Sequence, residues 1–273
     1  MKFKELIEYL DECYPRSLSM AGDGDGVDVC ADYDTEIGGV LLVLDVTLGA
    51  IEYAKAHAYN CILSHHAMIY SSLKKLDANL GAAARKAAML ARADICSAAF
   101  HTRLDSVDGG VNDCLLAAVG INKSELLICD GVPIGRICDF EREISVAEFA
   151  RHVNASLNKF FADTFKVTRN SCTRFTDGES KIKRLGVIAG SGMSFDFINQ
   201  AAEAGVDTFL TGEGKFHDIL AARENYNLNI ITAGHFDTEA VVLPEIKRAV
   251  LARFPDTRID YFVSDCAVLM NLA

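Results

Sequence analysis

Hydrophobic positions fall along this chain in short unbroken aliphatic runs, each followed by a stretch with apolar residues at helical spacing. Val40 to Leu44 is one such run. It reads as a strand covered on both faces, because a strand with one solvated face would alternate. Thr47 starts a helix through Ile51, Ala54 and Ala58, Asn60 ends it, and Cys61 to Leu63 forms the next strand. The order strand, helix, strand predicts a parallel pair. His65 and His66 then stand at its carboxyl edge, where open α/β sheets place their sites.

The same alternation runs through the rest of the chain. Residues 2–12 fit an amphipathic helix with Phe3, Leu6, Ile7 and Leu10 on one stripe, stopped by Pro15. Met20 to Asp28 reads as a glycine-rich turn with solvated acids. Leu80 to Ala91 is helical. Ile95 to Phe100 is a third strand, running into His101 and Asp105, after which Asn112 or Asp113 could cap a helix over Cys114 to Val119.

The texture changes over residues 122–183. Val132 to Arg136 and Phe165 to Arg169 read as short strands. Ser145 to Phe161 reads as a helix capped by Ser145, with Glu148 three residues on, and Thr173 to Lys183 is polar. Alternation then resumes. Arg184 to Ser194 is strand and glycine turn, Phe195 to Ala204 helix, Gly205 to Gly214 strand and turn, and Lys215 to Glu224 helix. Asn229 to Gly234 is a strand running into His235-x-x-x-Glu239, with a helix from Val241 to Phe254 and a closing strand from Ile259 to Ser264. The fold class is therefore α/β with mixed, largely parallel sheets. The change of texture after residue 122 marks the start of a second lobe.

Composition narrows the function. The chain has 273 residues, half of them hydrophobic, and a formal net charge of −11. An acidic chain without a Lys/Arg run argues against nucleic acid or an anionic membrane as the main partner. No apolar stretch approaches membrane-spanning length, and the N-terminus lacks a signal-peptide core, so a cytoplasmic protein is expected. The nine cysteines are scattered without a CxxC pair. That pattern excludes a disulfide framework and a four-thiolate zinc site, and leaves buried thiols acting as small hydrophobes.

Candidate chemistry gathers where the aliphatic runs end. Neutral imidazole is the commonest metal-ligating side chain. Neighbouring residues at a strand end diverge, so His65 and His66 suit two different ions, or one ion with a distorted backbone. In a helix, His235 and Glu239 at i and i+4 would share one face. Three strand ends thus offer His65 and His66, Asp105, and His235 with Glu239, a donor set suited to a dinuclear site for Zn, Fe or Mn. Two other motifs carry less. Asp23-Gly-Asp25-Gly starts like a calcium loop but lacks the later ligands. Gly190-Ser-Gly192 opens a helix as a phosphate cradle would, but Phe195 stands where the third glycine of the dinucleotide fingerprint belongs. His152, among ordinary helix residues, reads as surface.

The motifs Leu44-Asp-Val-Thr47, Ile62-Leu-Ser-His-His66, His101-Thr-Arg-Leu-Asp105, Gly109-Gly-Val-Asn-Asp113, Gly212-Glu-Gly-Lys-Phe-His217 and Ala233-Gly-His235-Phe-Asp-Thr-Glu239 lie across nearly the whole chain. Together they resemble the dinuclear-metal, hexamer-forming family labelled GTP cyclohydrolase I type 2-like or NGG-interacting-factor-like. The resemblance implies two interlocked α/β lobes and two divalent metal ions held by His65, His66, Asp105, His235 and Glu239, with Glu239 as the bridge. It places His101 and His217 facing the site, in catalytic roles, and implies a ring-shaped homo-hexamer. The sequence departs from that pattern at Ala67, where proline usually follows the histidine pair, and at the acidic Gly/Asp loop around residues 22–28. In the Thr-Gly-Asp turn, the acid is Glu213.

The function this implies is metal-dependent hydrolysis of a small molecule: a nucleotide-like compound, a phosphoester or a cyclic amide. A non-catalytic metal-binding scaffold, metallochaperone or adaptor is the alternative from a different class. Nucleotide binding through Gly190 to Gly192 is a third reading, one that needs no metal.

Overall fold

A computed structural model describes residues 1–169 and 171–263. In chain order the elements are α1 (Phe3–Cys13), β1 (Gly26–Val29), β2 (Val40–Val43), α2 (Leu48–Ala56), β3 (Cys61–Ser64), α3 (Ala82–Arg92), β4 (Cys96–Ala99), α4 (Thr102–Ser106) and α5 (Val111–Ala118). Then come β5 (Glu125–Cys129), β6 (Val132–Ser145), α6 (Val146–Phe165), β7 (Arg174–Phe175), β8 (Lys181–Ile188), α7 (Phe195–Glu203) and β9 (Thr208–Thr211). The chain closes with α8 (Phe216–Tyr226), β10 (Asn229–Thr232), α9 (His235–Glu239), α10 (Leu243–Arg253) and β11 (Ile259–Tyr261).

These elements form two compact units, each with its own sheet. Among the described residues, the first comprises Met1–Leu104 and 243–263; the second is Asp105–Val242. The resemblance implies one lobe from residues 1–124 plus 232–273 and another from 125–231, whereas compactness divides the chain at 104/105 and 242/243.

In the first unit the strand order is β1-β4-β3-β2-β11. All pairs are parallel except β1 with β4. The reason lies in the runs themselves. Val40 to Val43 and Cys61 to Ser64 are buried at every position, so helices must cover both faces. Burying a side chain such as Ile62 or Leu63 contributes about 1.5–3 kcal/mol. The Thr47 hydroxyl accepts from Ala50 N at 3.0 Å, fixing the start of α2 where its sequence placed it. Phe3, Leu6, Ile7 and Leu10 are the buried stripe of α1.

The loop after α1 is not the solvated turn its composition suggested. Asp23 and Asp25 are almost fully buried, and Gly26–Val29 forms an edge strand. Asp28 accepts from Met68 N and Ile69 N at 3.3 and 3.0 Å. A Cβ at Gly24 would lie 2.9 Å from the Ala67 Cβ. Two of the three places at which the sequence departs from the family pattern, the 22–28 loop and Ala67, therefore lie against each other.

In the second unit the order is β5-β6-β8-β9-β10-β7. Its centre, β8-β9-β10, is parallel, while β5, β6 and β7 pair antiparallel. Ser145 caps α6 by accepting from Glu148 N at 3.2 Å. That helix runs on through Phe165 to a left-handed Lys166, and residues 166–169 form no strand. Phe161 is buried, so helical packing outweighs the strand propensity of Phe165 to Arg169. Neither Asn112 nor Asp113 is the N-cap of α5; Gly110 is. The expected closing strand ends at Tyr261, and Ser264 lies outside the described residues.

Candidate metal-ligating sites

Strand register places the first unit's donors. Val43 of β2 and Ser64 of β3 are paired neighbours, as are Ser64 and Ala99 of β4. Three parallel strands thus end level with one another. Just past their carboxyl ends stand Asp45, the pair His65 and His66, and His101. Backbone bonds extend the alignment, with His66 N donating to Leu44 O at 3.0 Å and Phe100 N to Ser64 O at 3.0 Å. One ligand atom each from His65, His66 and His101 lies within 4.8 Å of the other two. Their rings are 4.9–5.6 Å apart, centroid to centroid.

The other nitrogen of each ring is what gives this cluster its meaning. His65 Nδ1 meets Phe100 O at 3.0 Å, His66 Nδ1 meets Asp45 Oδ1 at 2.9 Å, and His101 Nδ1 meets Asp23 Oδ1 at 2.8 Å. A carbonyl or carboxylate oxygen can only accept, so each Nδ1 carries the proton and each Nε2 offers its lone pair. Metal-ligating histidines are held in this way. Asp23 is itself braced. Burial alone would raise its pKa, but hydrogen bonds from His101 and from the Thr102 hydroxyl and backbone N hold the carboxyl well below the usual range.

The second unit repeats the plan. Ile188 of β8, Thr211 of β9 and Thr232 of β10 are in register, and just beyond them come Gly190, Glu213 and His235. Within α9 the i, i+4 spacing does what it predicts: His235 Nε2 lies 3.0 Å from Glu239 Oε2. His235 Nδ1 meets Glu213 Oε1 at 3.0 Å. An imidazole between two carboxylates calls for positive charge at this point, supplied by a proton or by a metal cation. A carboxylate oxygen of Asp105 lies within 4.8 Å of one of Glu239. Asp105 is fixed through its backbone: Asn112 is fully buried and its Nδ2 donates to Asp105 O at 3.2 Å and to Ile134 O at 2.7 Å. Asn112 Oδ1 accepts from Ala189 N at 2.8 Å, tying Asp105 to the glycine turn.

That turn serves the carboxylate. Gly190 has φ +60°, and a Cβ there would collide with the Glu239 carboxyl group. A Cβ at Gly192 would run into Ile188. The two glycines are therefore accounted for by close packing.

Of the residues the sequence singled out, His65, His66 and His101 come together in the first unit, and Asp105, His235 and Glu239 in the second. His217 does neither: it stands exposed on the first turn of α8, with Nε2 3.5 Å from Asp218 Oδ1. The sequence reading passed over Asp23, Asp45 and Asn112 as anchors. Asp45 had a visible signal, since an acid closing an unbroken aliphatic run at a parallel sheet's carboxyl edge is already in the right place. Replacing Asp45 with alanine is expected to weaken divalent-metal binding by about 10–100-fold, because His66 loses the acceptor that fixes its tautomer. Competition against a chromophoric chelator measures this, and an affinity within twofold of wild type would exclude the role.

The fold and these side chains define a class: a two-unit α/β protein carrying histidine and carboxylate metal-ligating groups at the carboxyl edges of its sheets. The chain belongs to the Duf34/NIF3 (NGG1p interacting factor 3) family, which matches over residues 1–267. Among its relatives is the GTP cyclohydrolase 1 type 2 homolog of Clostridium perfringens, 30% identical over 97% of this chain and 96% of that one. Another, from Methanocaldococcus jannaschii, is 27% identical over 90% of this chain and 93% of its own. The fold is also that of the Staphylococcus aureus protein SA1388, with TM-score 0.85 and 23% identity over 100% of this chain and 99% of that one. Reduced HcgD from Methanocaldococcus jannaschii is similar as well, with TM-score 0.78 and 25% identity over 96% and 97%. No helix among the described residues is long and apolar enough to cross a membrane.

Proposed function

We propose that the protein is a metal-dependent hydrolase whose His65, His66, Asp105, His235 and Glu239 hold two divalent ions, Zn, Fe or Mn. The substrate is a small nucleotide-like, phosphoester or cyclic-amide molecule. The observation that carries this reading is the shared orientation of four imidazoles. His65, His66, His101 and His235 each have Nδ1 on an oxygen acceptor; in the first three this leaves Nε2 as the donor atom, and in His235 Nε2 lies 3.0 Å from Glu239 Oε2. The exposed His57 also rests Nδ1 on a carbonyl, that of Tyr53, so what sets these four apart is that the anchoring occurs at the carboxyl edges of the sheets, as metal ligands require. Family membership supports the same reading.

Divalent ions so held supply Lewis acidity, which polarises a substrate oxygen and lowers the pKa of water toward neutrality. The protein's own residues do the rest. Asp45 and the Phe100 carbonyl keep His66 and His65 in the ligating tautomer. Glu239 would hold metal through its carboxylate, which the space left at Gly190 accommodates. His101, oriented through Nδ1 by Asp23, presents Nε2 as the group that takes and returns a proton. His217 is given no step.

The test is elemental analysis of purified protein, followed by a panel of nucleotides and phosphoesters with metal removed and restored. Two ions per chain and a turnover that follows them are expected. Two ions without any metal-dependent turnover would favour the scaffold or metallochaperone, and protein that binds no divalent metal would end the proposal.

A further inference from the structure

Beside the second unit's ligating residues lies a cavity that the ligands do not fill. It holds about 610 Å³ and is lined by Ser191, Met193, Ser194 and Phe195 on one side, and by Glu213, Gly214, Lys215 and Asp218 on the other. That volume is in the range of small-molecule sites, roughly 300–1,000 Å³. One lining residue joins it to the site: Glu213, whose Oε1 meets His235 Nδ1 at 3.0 Å.

The lining sorts by chemistry. Phe195 is half exposed and Met193 is buried, so the apolar side of the lining is chiefly the Phe195 ring, with Met193 behind it. Lys215 brings a positive charge, and among the described residues no carboxylate is paired with its ammonium. Lys215 and Ser194 are the N-caps of α8 and α7, two helices of 11 and 9 residues, so both positive helix ends face this space. The start of α8 has no side-chain cap. Asp218 adds an acceptor suited to a ring N–H. A free phosphate would leave the apolar wall bare, and an apolar ring would leave Lys215 unused.

We propose that this cavity takes a phosphorylated planar heterocycle, its ring against Phe195 and Met193 and its phosphate at Lys215. The substrate class of the hydrolase would thereby be a nucleoside-monophosphate-like compound, an assignment that rests on the metal-site reading for its function but not for its binding. Lys215 and Phe195 are the specificity residues. Both are exposed and outside the packed core, so their replacement leaves the fold in place.

The experiment is calorimetric titration of the full-length, chelator-stripped protein with guanosine monophosphate, guanosine and inorganic phosphate. Guanosine monophosphate is expected to bind at least tenfold more tightly than inorganic phosphate. Lys215→Ala should weaken guanosine monophosphate about tenfold and leave guanosine unchanged, as loss of one charge-assisted contact implies. Phe195→Ala should weaken both nucleoside ligands about fivefold or more and leave phosphate unchanged. The proposal is overturned by absence of guanosine monophosphate binding, or by unchanged binding in either variant; a response to Lys215→Ala alone would leave only an anion site. Because the protein is metal-free throughout, a failed metal count in the test of the hydrolase leaves this result standing, and the reverse holds as well.

Discussion

Gly190→Ala is expected to weaken divalent-metal binding by about 100-fold, the upper end of what disturbing a ligand's support does. A methyl group at this position would lie 2.6 Å from Glu239 Cδ and 3.1 Å from His235 Nε2, so the carboxylate must move. The backbone cannot yield to make room. Gly190 N donates to the Thr238 hydroxyl at 3.0 Å, and Gly190 O accepts from Glu213 N at 2.9 Å and from the Thr211 hydroxyl at 3.2 Å. The left-handed φ of +60° adds about 1–2 kcal/mol of strain for any residue with a Cβ. The substitution therefore acts on Glu239, on the anchor of His235 and on stability together. Chelator competition gives the affinity, and thermal melting of the stripped protein separates the strain from the loss of ligation. Metal affinity within threefold of wild type would mean that Glu239 is not a ligand.

Arg136→Ala should destabilise the second unit by about 3–5 kcal/mol, the cost of breaking a buried ion pair by removing one partner. Arg136 sits on β6 with its side chain 2% exposed. Its Nε and Nη2 donate to the two oxygens of Asp113 at 2.8 Å each, and its remaining donors reach the carbonyls of Pro133, Gly135, Ser106 and Val107 at 3.0–3.3 Å. Two of those carbonyls directly follow Asp105. Without the guanidinium, Asp113 loses its partner and the turn between α4 and α5 loses what closes it. Lysine is not a rescue, since a single ammonium cannot span a bidentate carboxylate and four carbonyls. The expected drop in melting temperature is on the order of 10 °C. An Arg136→Lys variant as stable as wild type would show that charge alone matters here.

Much of this architecture was legible because its causes are local. Unbroken aliphatic runs can be satisfied only by strands covered on both faces, and β2, β3, β9, β10 and the second half of β8 are such strands. Parallel pairing follows from the helices between them, and it puts whatever succeeds each run at one edge. His65, His66 and His101 needed nothing more to be singled out, and helical spacing was enough to bring His235 to Glu239. The errors also have local causes. Phe165 to Arg169 is rich in strand formers, yet Phe161 is buried and the helix carries on past it. Asp23 and Asp25 sit among glycines in a stretch that composition assigns to solvent, while the structure buries both.

By itself the sequence determined which side chains stand at the strand ends, because periodicity and chain direction act over a few residues. What orients those side chains so that they could hold a metal was decided only by the tertiary structure. Asp45 is 21 residues from His66, Asp23 is 78 from His101 and Glu213 is 22 from His235. A hydrogen bond across such a separation leaves no period in the sequence. It exists because neighbouring strands end in register, and register is set by the pairing of the whole sheet rather than by either residue.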